Sequence, residues 1–140
     1  MLALLAQAFA DMEGRIDPPS SLHRMTAQTL REKASREMLA TAHCGTTIIA
    51  CGFGAVEGTD LHLSKLAVAP AWQRRGILRR LVLLFEDEAR RIGLVALTLQ
   101  TRIELTGNHA AFGALGFRKV AETAHPGYER PTSFTFRKTL

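Results

Sequence analysis

Cysteine is scarce in this chain: Cys44 and Cys51 are the only two in 140 residues. Two thiols cannot build the disulfide scaffold of a small secreted domain, and their spacing matches no zinc pattern. Both stand in apolar, strand-like surroundings, which predicts buried thiols in a reducing cytoplasm. Long apolar runs are missing too. Nothing approaches the roughly 20 residues needed to cross a bilayer, so no membrane partner is expected. The apolar opening Met1–Phe9 has no basic leader or small-residue cleavage site and runs into Asp11 and Glu13, so it reads as a helix start rather than a targeting segment. Aromatics make up 6%, with one tyrosine, Tyr128, and one tryptophan, Trp72. The interleaved exposed aromatics of a nucleic-acid surface are therefore lacking. Without repeats, low-complexity tracts or linkers, residues 1–140 are expected to form one domain.

What is present is an ordinary globular balance, 46% apolar and 22% charged, on a chain long enough to bury one core. The net charge of +5 is unevenly placed. Residues 1–60 carry five Lys/Arg against seven Asp/Glu, and residues 61–140 carry thirteen against six. A basic half implies an anionic partner, and at this point nucleic acid and a phosphorylated cofactor both fit.

The pattern along the chain predicts a helix over Leu2–Met12, ended by Asp17-Pro18-Pro19, and a second over Thr26–Met38 with Thr26 as cap. Strands follow at Leu39–His43, Thr46–Val56 and Leu61–Val68, the last with apolar residues at alternate positions. Ile77–Ile92 is the strongest helix. Leu78, Val82, Phe85, Ala89 and Ile92 form its apolar stripe, Glu86–Arg90 and Asp87–Arg91 are expected i,i+4 pairs, and Gly93 is a left-handed C-cap. Val95–Thr101 is a strand, Asn108–Leu115 a short helix, and Phe117–Thr123 and Ser133–Lys138 a final strand pair around a Pro126-Gly127 type II turn. The strand–helix–strand unit from Leu61 to Thr101 implies a parallel pair inside an otherwise antiparallel α/β sheet.

Arg74, Arg75, Arg79 and Arg80 crowd the start of the long helix. A helix N-terminus carries partial positive charge, so arginines there cost stability unless an anion lies among them. Gly76 lets the backbone turn, and the free N–H groups of the first turn then point at whatever occupies the site. Together these make a phosphate cradle; a basic helix start merely solvated by water is the other reading.

The segment LSKLAVAPAWQRRGILRRL, residues 63–81, resembles the central motif of the GNAT superfamily of acyl-CoA-dependent N-acetyltransferases. Gln73, Gly76 and Ile77 match it, while Leu78 stands where the family usually has Gly or Ala. Asn108 and Leu115-Gly116-Phe117, in NHAAFGALGF, match a second family signal. The element order fits as well, except that the family's first strand is expected to be absent at the N-terminus. The resemblance implies a mixed, mostly antiparallel sheet with a central splayed parallel pair and helices on both faces.

It also implies an acetyl-CoA site. The pyrophosphate would lie on the backbone of Gln73, Arg74, Arg75, Gly76, Ile77, Leu78 and Arg79, with Arg74 or Arg75 near the phosphates. The pantetheine arm would pair with Leu66, Ala67 and Val68 like an added strand. Asn108 would hydrogen-bond the cofactor, and Phe112 falls where many members place the tyrosine that protonates the leaving thiolate. Tyr128 is the available substitute. Candidate bases are His62 and Glu104 ahead of His109 and His125. The implied activity is acetyl transfer to a primary amine, on a small molecule or peptide, by direct attack in a ternary complex. The alternative is a weakly catalytic acyl-CoA-binding sensor or scaffold. Acceptor loops are expected at Gly14–Arg24 and His125–Pro131, the acidic N-terminal half favours a cationic amine, and a homodimer would cover the edge left by the missing strand.

Overall fold

Apolar residues dominate 47–68, nearly unbroken from Ile48 to Val56, and such a run fits strands covered on both faces. In the computed structural model, which describes residues 1–8 and 25–140, this stretch forms the centre of a six-stranded sheet. The strands are β1 (Met38–Cys44), β2 (Thr47–Glu57), β3 (Asp60–Val68), β4 (Ala96–Arg102), β5 (Arg118–Thr123) and β6 (Ser133–Thr139), in the order β1-β2-β3-β4-β6-β5. Only β3 and β4 run parallel; every other neighbouring pair is antiparallel. The helices are α1 (Leu2–Ala8), α2 (Ala27–Arg36), α3 (Ile77–Arg91) and α4 (Thr106–Ala114). Among the described residues, no helix is long and apolar enough to cross a membrane. The expected extension of the first helix to Met12 and the Gly14–Arg24 loop lie outside the described residues.

Two cores sandwich the sheet. Leu61, Leu63, Leu97 and Leu99 pack with Val82, Phe85 and Ala89 of α3 on one face. Cys51, Phe53 and Ala67 pack with Leu4, Leu5 and Leu30 on the face covered by α1 and α2. Burying each large side chain stabilises the fold by about 1.5–3 kcal/mol. Glycine is required where α3 crosses β2: a Cβ at Gly52 would lie 2.6 Å from Leu66 Cδ2 and 3.0 Å from Phe85 Cε2. At Gly54 it would lie 3.1 Å from the Phe85 ring. At the start of α2, Thr26 Oγ1 accepts from Thr29 N–H and Thr29 Oγ1 accepts from Thr26 N–H, closing a capping box.

Three expectations are corrected. The α3 stripe holds from Leu78 to Ala89 with Leu81 added, but Ile92 is exposed, because the helix ends at Arg91 and Gly93 (φ +85°) turns the chain away. The i,i+4 pairs do not form. Glu86, 3% exposed, faces inward with its carboxylate 2.5 Å from Lys138 Nζ. Arg90 therefore pairs with Asp87, and Arg91 with Glu88, three residues apart. Finally, only Cys51 is buried; Cys44 lies exposed at the end of edge strand β1.

Candidate active site

The site begins with an irregularity in β3. Phe53 pairs with Ser64 and Cys51 with Ala67, so three steps of β3 face two of β2. The extra residue is Lys65, in the left-handed region at φ +51°. This bulge switches the side-chain parity of the strand. Leu61 and Leu63 face α3, and past the bulge Leu66 faces α3 while Ala67 turns to the opposite core. The bend also ends the parallel ladder: β3 and β4 pair from Asp60↔Ala96 to Leu63↔Leu99 and no further. Beyond Leu63, no described strand pairs with the β4-facing edge of Leu66–Val68, and a gap opens between the two strand ends.

β3 leads into a short 3-10 turn, Pro70–Trp72, at the mouth of this gap. The Gln73 side-chain amide donates back to the Val68 carbonyl at 3.1 Å. Arg74 (φ +62°) and Gly76 (φ +78°) both adopt left-handed backbone and swing the chain into α3. The first intrahelical bond is Arg80 N–H to Gly76 C=O, 3.1 Å. The N–H groups of Ile77, Leu78 and Arg79 lie ahead of it, at the positive end of the helix. Among the described residues, nothing lies within 4 Å of where a Gly76 Cβ would be, so the turn faces open space. Arg74, Arg75, Arg79 and Arg80 are exposed around that space, and none is in an ion pair among the described residues. The Arg75 guanidinium stacks 5.0 Å over the Trp72 ring. Leu78 packs against the α3 core, so its bulk does not fill the mouth. Free donors, helix dipole, cations and open space fit a phosphate-bearing group.

A second set of residues gathers at the far end of β4. Ile103 N–H donates to the Thr132 carbonyl (3.1 Å), and Thr132 N–H donates to the Thr123 carbonyl (2.8 Å). Thr132 is fully buried; its Oγ1 accepts from His125 N–H (2.9 Å) and is hydrogen-bonded to the His125 ring. Gly127 (φ +85°) and the Tyr128 N–H to His125 C=O bond (3.0 Å) complete the expected Pro126-Gly127 turn. These bonds hold the loop bearing His125 and Tyr128 beside Glu104. The His125 pKa is held below the ordinary histidine value, mainly by burial and then by the Arg102 charge, against a smaller opposing pull from Glu104.

Helix α4 is docked to the same end, with His109 Nε2–H donating to the Arg102 carbonyl at 2.9 Å. Asn108 is exposed in its first turn. Phe112 faces away into the core, edge-on to Phe117 with ring centroids 5.9 Å apart. His62 is set apart from this group. It pairs with Thr98 in the closed part of the ladder, its Nδ1 3.0 Å from Thr98 Oγ1. Thr98 lies four residues, about 13 Å, short of the end of β4.

The sequence signature of the Acetyltransferase (GNAT) family matches residues 3–117. The chain belongs to the GNAT acetyltransferase family. It is 33% identical over 106 residues, 74% of this chain and 68% of the relative, to the IAA acetyltransferase of Azospirillum brasilense. Among solved structures it resembles the PaiA N-acetyltransferase of Thermoplasma acidophilum in complex with coenzyme A, with TM-score 0.74 and 15% identity over 99% of this chain and 90% of that one. A GNAT family acetyltransferase of Elizabethkingia anophelis with acetyl-CoA bound aligns with TM-score 0.67 and 18% identity, over 82% of this chain and 84% of that one.

The GNAT signals in the sequence mark the helix mouth and α4. Lys65, Arg102 and Thr132 escaped the sequence reading. For Lys65 a signal was there, a lysine interrupting an apolar central strand; Arg102 and Thr132 gain their places only through the pairing of distant segments.

Proposed function

We propose that this GNAT protein transfers an acetyl group from acetyl-CoA to a primary amine by direct attack in a ternary complex. One observation carries the reading: a left-handed Gly76 turn opens α3 with three N–H groups and four arginines that have no hydrogen-bond or ion-pair partner among the described residues, beside the gap between β3 and β4. The backbone of Gln73–Arg79 with Arg74 or Arg75 would hold the phosphates, the free edge of Leu66–Val68 the amides of the pantetheine arm, and Asn108 the end nearest the thioester. When bound, acetyl-CoA supplies an activated acyl thioester. The protein supplies orientation, and a group to move the amine's proton. Glu104 and Tyr128, held on neighbouring loops, are the groups for base and acid; Phe112 carries no exchangeable proton. Direct attack is supported by the thiols. Burial pushes Cys51 up to about 11, far from a useful nucleophile, and Cys44 lies on the edge strand.

The test is a calorimetric titration with CoA together with a thiol-release screen of amines. CoA is expected to bind and to raise the melting temperature by mass action. Gly76→Asp keeps a residue type that tolerates left-handed backbone but adds negative charge at the helix mouth, so it should fold and lose CoA binding. No thermal shift at millimolar CoA would overturn the reading. CoA binding without turnover of any amine would instead make the chain an acyl-CoA-binding sensor.

A further inference from the structure

One polar side chain of β4 enters an apolar layer. Leu97 and Leu99 face α3 in the larger core, and Thr101, two residues further on, takes the same face by the alternation of the strand. Its ladder partner on β6 is Phe134, and Phe136 stands opposite Leu99. The His109 ring of α4 lies against both phenylalanines, with centroids 5.1 and 5.7 Å away. Thr101 is 7% exposed, and its Oγ1 is buried with no hydrogen-bond partner among the described residues. His109 Nε2 is itself engaged with the Arg102 carbonyl. A hydroxyl buried without a partner costs stability, and a valine would fill the same outline without that cost. The unliganded fold therefore gains nothing from this oxygen.

Its place in the strand says what could use it. The last rung between β3 and β4 is Leu63↔Leu99. Thr101 stands two residues, about 7 Å, past that rung on β4, where the gap has just opened. On its other side β4 stays paired with β6 as far as Arg102↔Ser133. Leu66, beyond the bulge on β3, packs on the same α3 face of the sheet. The phosphates are assigned to the backbone of Gln73–Arg79, beyond Val68 at the mouth. An arm running from there back along Val68 to Leu66 brings its thioester to the closed end of the gap, the end at which Thr101 stands.

We propose that the Thr101 hydroxyl donates a hydrogen bond to the carbonyl oxygen of the bound acyl thioester and holds that oxygen as negative charge grows on it. This rests on the acetyltransferase reading and adds a residue to the same site. The amine lone pair forms the new C–N bond while the carbonyl π pair moves onto the oxygen. Return of that pair breaks the C–S bond and releases the thiolate, and the amine's proton passes to the base. Thr101 keeps its own proton throughout. A neutral donor in apolar surroundings suits this task, because no competing acceptor has to be displaced when the charge develops.

Isotope-edited infrared difference spectra of bound acetyl-CoA read this hydrogen bond without any acceptor amine. Calorimetry with CoA comes first. If wild type does not bind CoA, the acetyltransferase reading falls and this proposal with it; if it does, the carbonyl data decide the proposal alone. The carbonyl stretch should lie lower on wild type than on Thr101→Val, and Thr101→Ser should keep the wild-type frequency. Thr101→Val should bind CoA, which has no acyl carbonyl, as tightly as wild type. Without ligand it should melt no lower than wild type, since it loses only an unsatisfied hydroxyl. With an amine that turns over, kcat should fall by about 10²–10³-fold in Thr101→Val, the loss typical of one oxyanion donor, and Thr101→Ser should restore most of it. A carbonyl stretch or a turnover in Thr101→Val equal to that of wild type overturns the proposal. So does a ligand-free Thr101→Val that fails to fold or melts below wild type, since the hydroxyl would then already serve the free protein.

Discussion

At the scale of single residues, the roles read from sequence divide according to whether local chemistry or long-range pairing sets them. Gly76 was legible because a left-handed turn before a helix needs glycine, and arginines at a helix start break an electrostatic rule wherever they occur. Phe112 was legible as a position but not as an environment. Counted from Leu115-Gly116-Phe117 it takes the place of a tyrosine near the thioester, and in the structure it is 8% exposed and edge-on to Phe117. A buried core ring makes a definite prediction. Phe112→Ala should lower the unfolding free energy by about 3 kcal/mol in urea titration. A ring that only lined the cofactor would instead lose CoA affinity with the stability unchanged. Cysteine shows the same division. Cys51 should stay inert to a thiol reagent until the protein unfolds, since its thiol is buried and shifted to about 11, whereas exposed Cys44 should react at once. A thiol count in native buffer and again in denaturant checks this, with two fast thiols in the native protein as the contrary result.

At the scale of elements, every strand and helix expected within the described residues is present, with ends shifted by a few residues at most. Periodicity and punctuation carried that much: the 2.0 period of β3, the 3.6 period of α3, the Thr26 cap, the Pro126-Gly127 turn. The surface pairs of α3 failed because periodicity cannot say which helix face meets a partner's charge. Lys138 on β6 draws Glu86 inward, and the arginines take the carboxylates that remain. The bulge in β3 was also invisible, since it exists only relative to the register of β2. Packing of α3 on β2 yields a prediction at this scale. Gly52→Ala would place a methyl 2.6 Å from Leu66 and 3.0 Å from Phe85. It should cost about 1–3 kcal/mol of stability by overpacking. Because Leu66 lies on the free edge of the gap, the same variant should also weaken CoA binding, which urea unfolding and calorimetry would resolve separately. Unchanged CoA affinity would show that the free edge is insulated from the β2–α3 contact.

At the scale of the whole molecule, an ion pair joins distant parts of the chain across the sheet. Arg137 Nε and Nη2 donate to the two Asp60 carboxylate oxygens at 2.9 and 3.1 Å, joining the start of β3 to β6 across β4. That bonding is the main cause of an Asp60 pKa below the ordinary carboxylate value. A lowered native pKa means that the stabilisation is present above the unfolded value of about 3.9 and is lost as pH falls through the native one. Asp60→Asn should therefore be less stable than wild type near pH 7, with the difference shrinking below about pH 4; a difference that stayed constant down to pH 2 would refute the linkage. The bulge at Lys65 has a consequence for engineering and for evolutionary drift. A β3 without it would continue its ladder with β4 toward Arg102, satisfy more backbone groups within the sheet, and leave no opening. Regularity and usefulness are opposed at this one position. Selection of variants on melting temperature alone is expected to accumulate changes that straighten β3, yielding proteins that are tougher and idle.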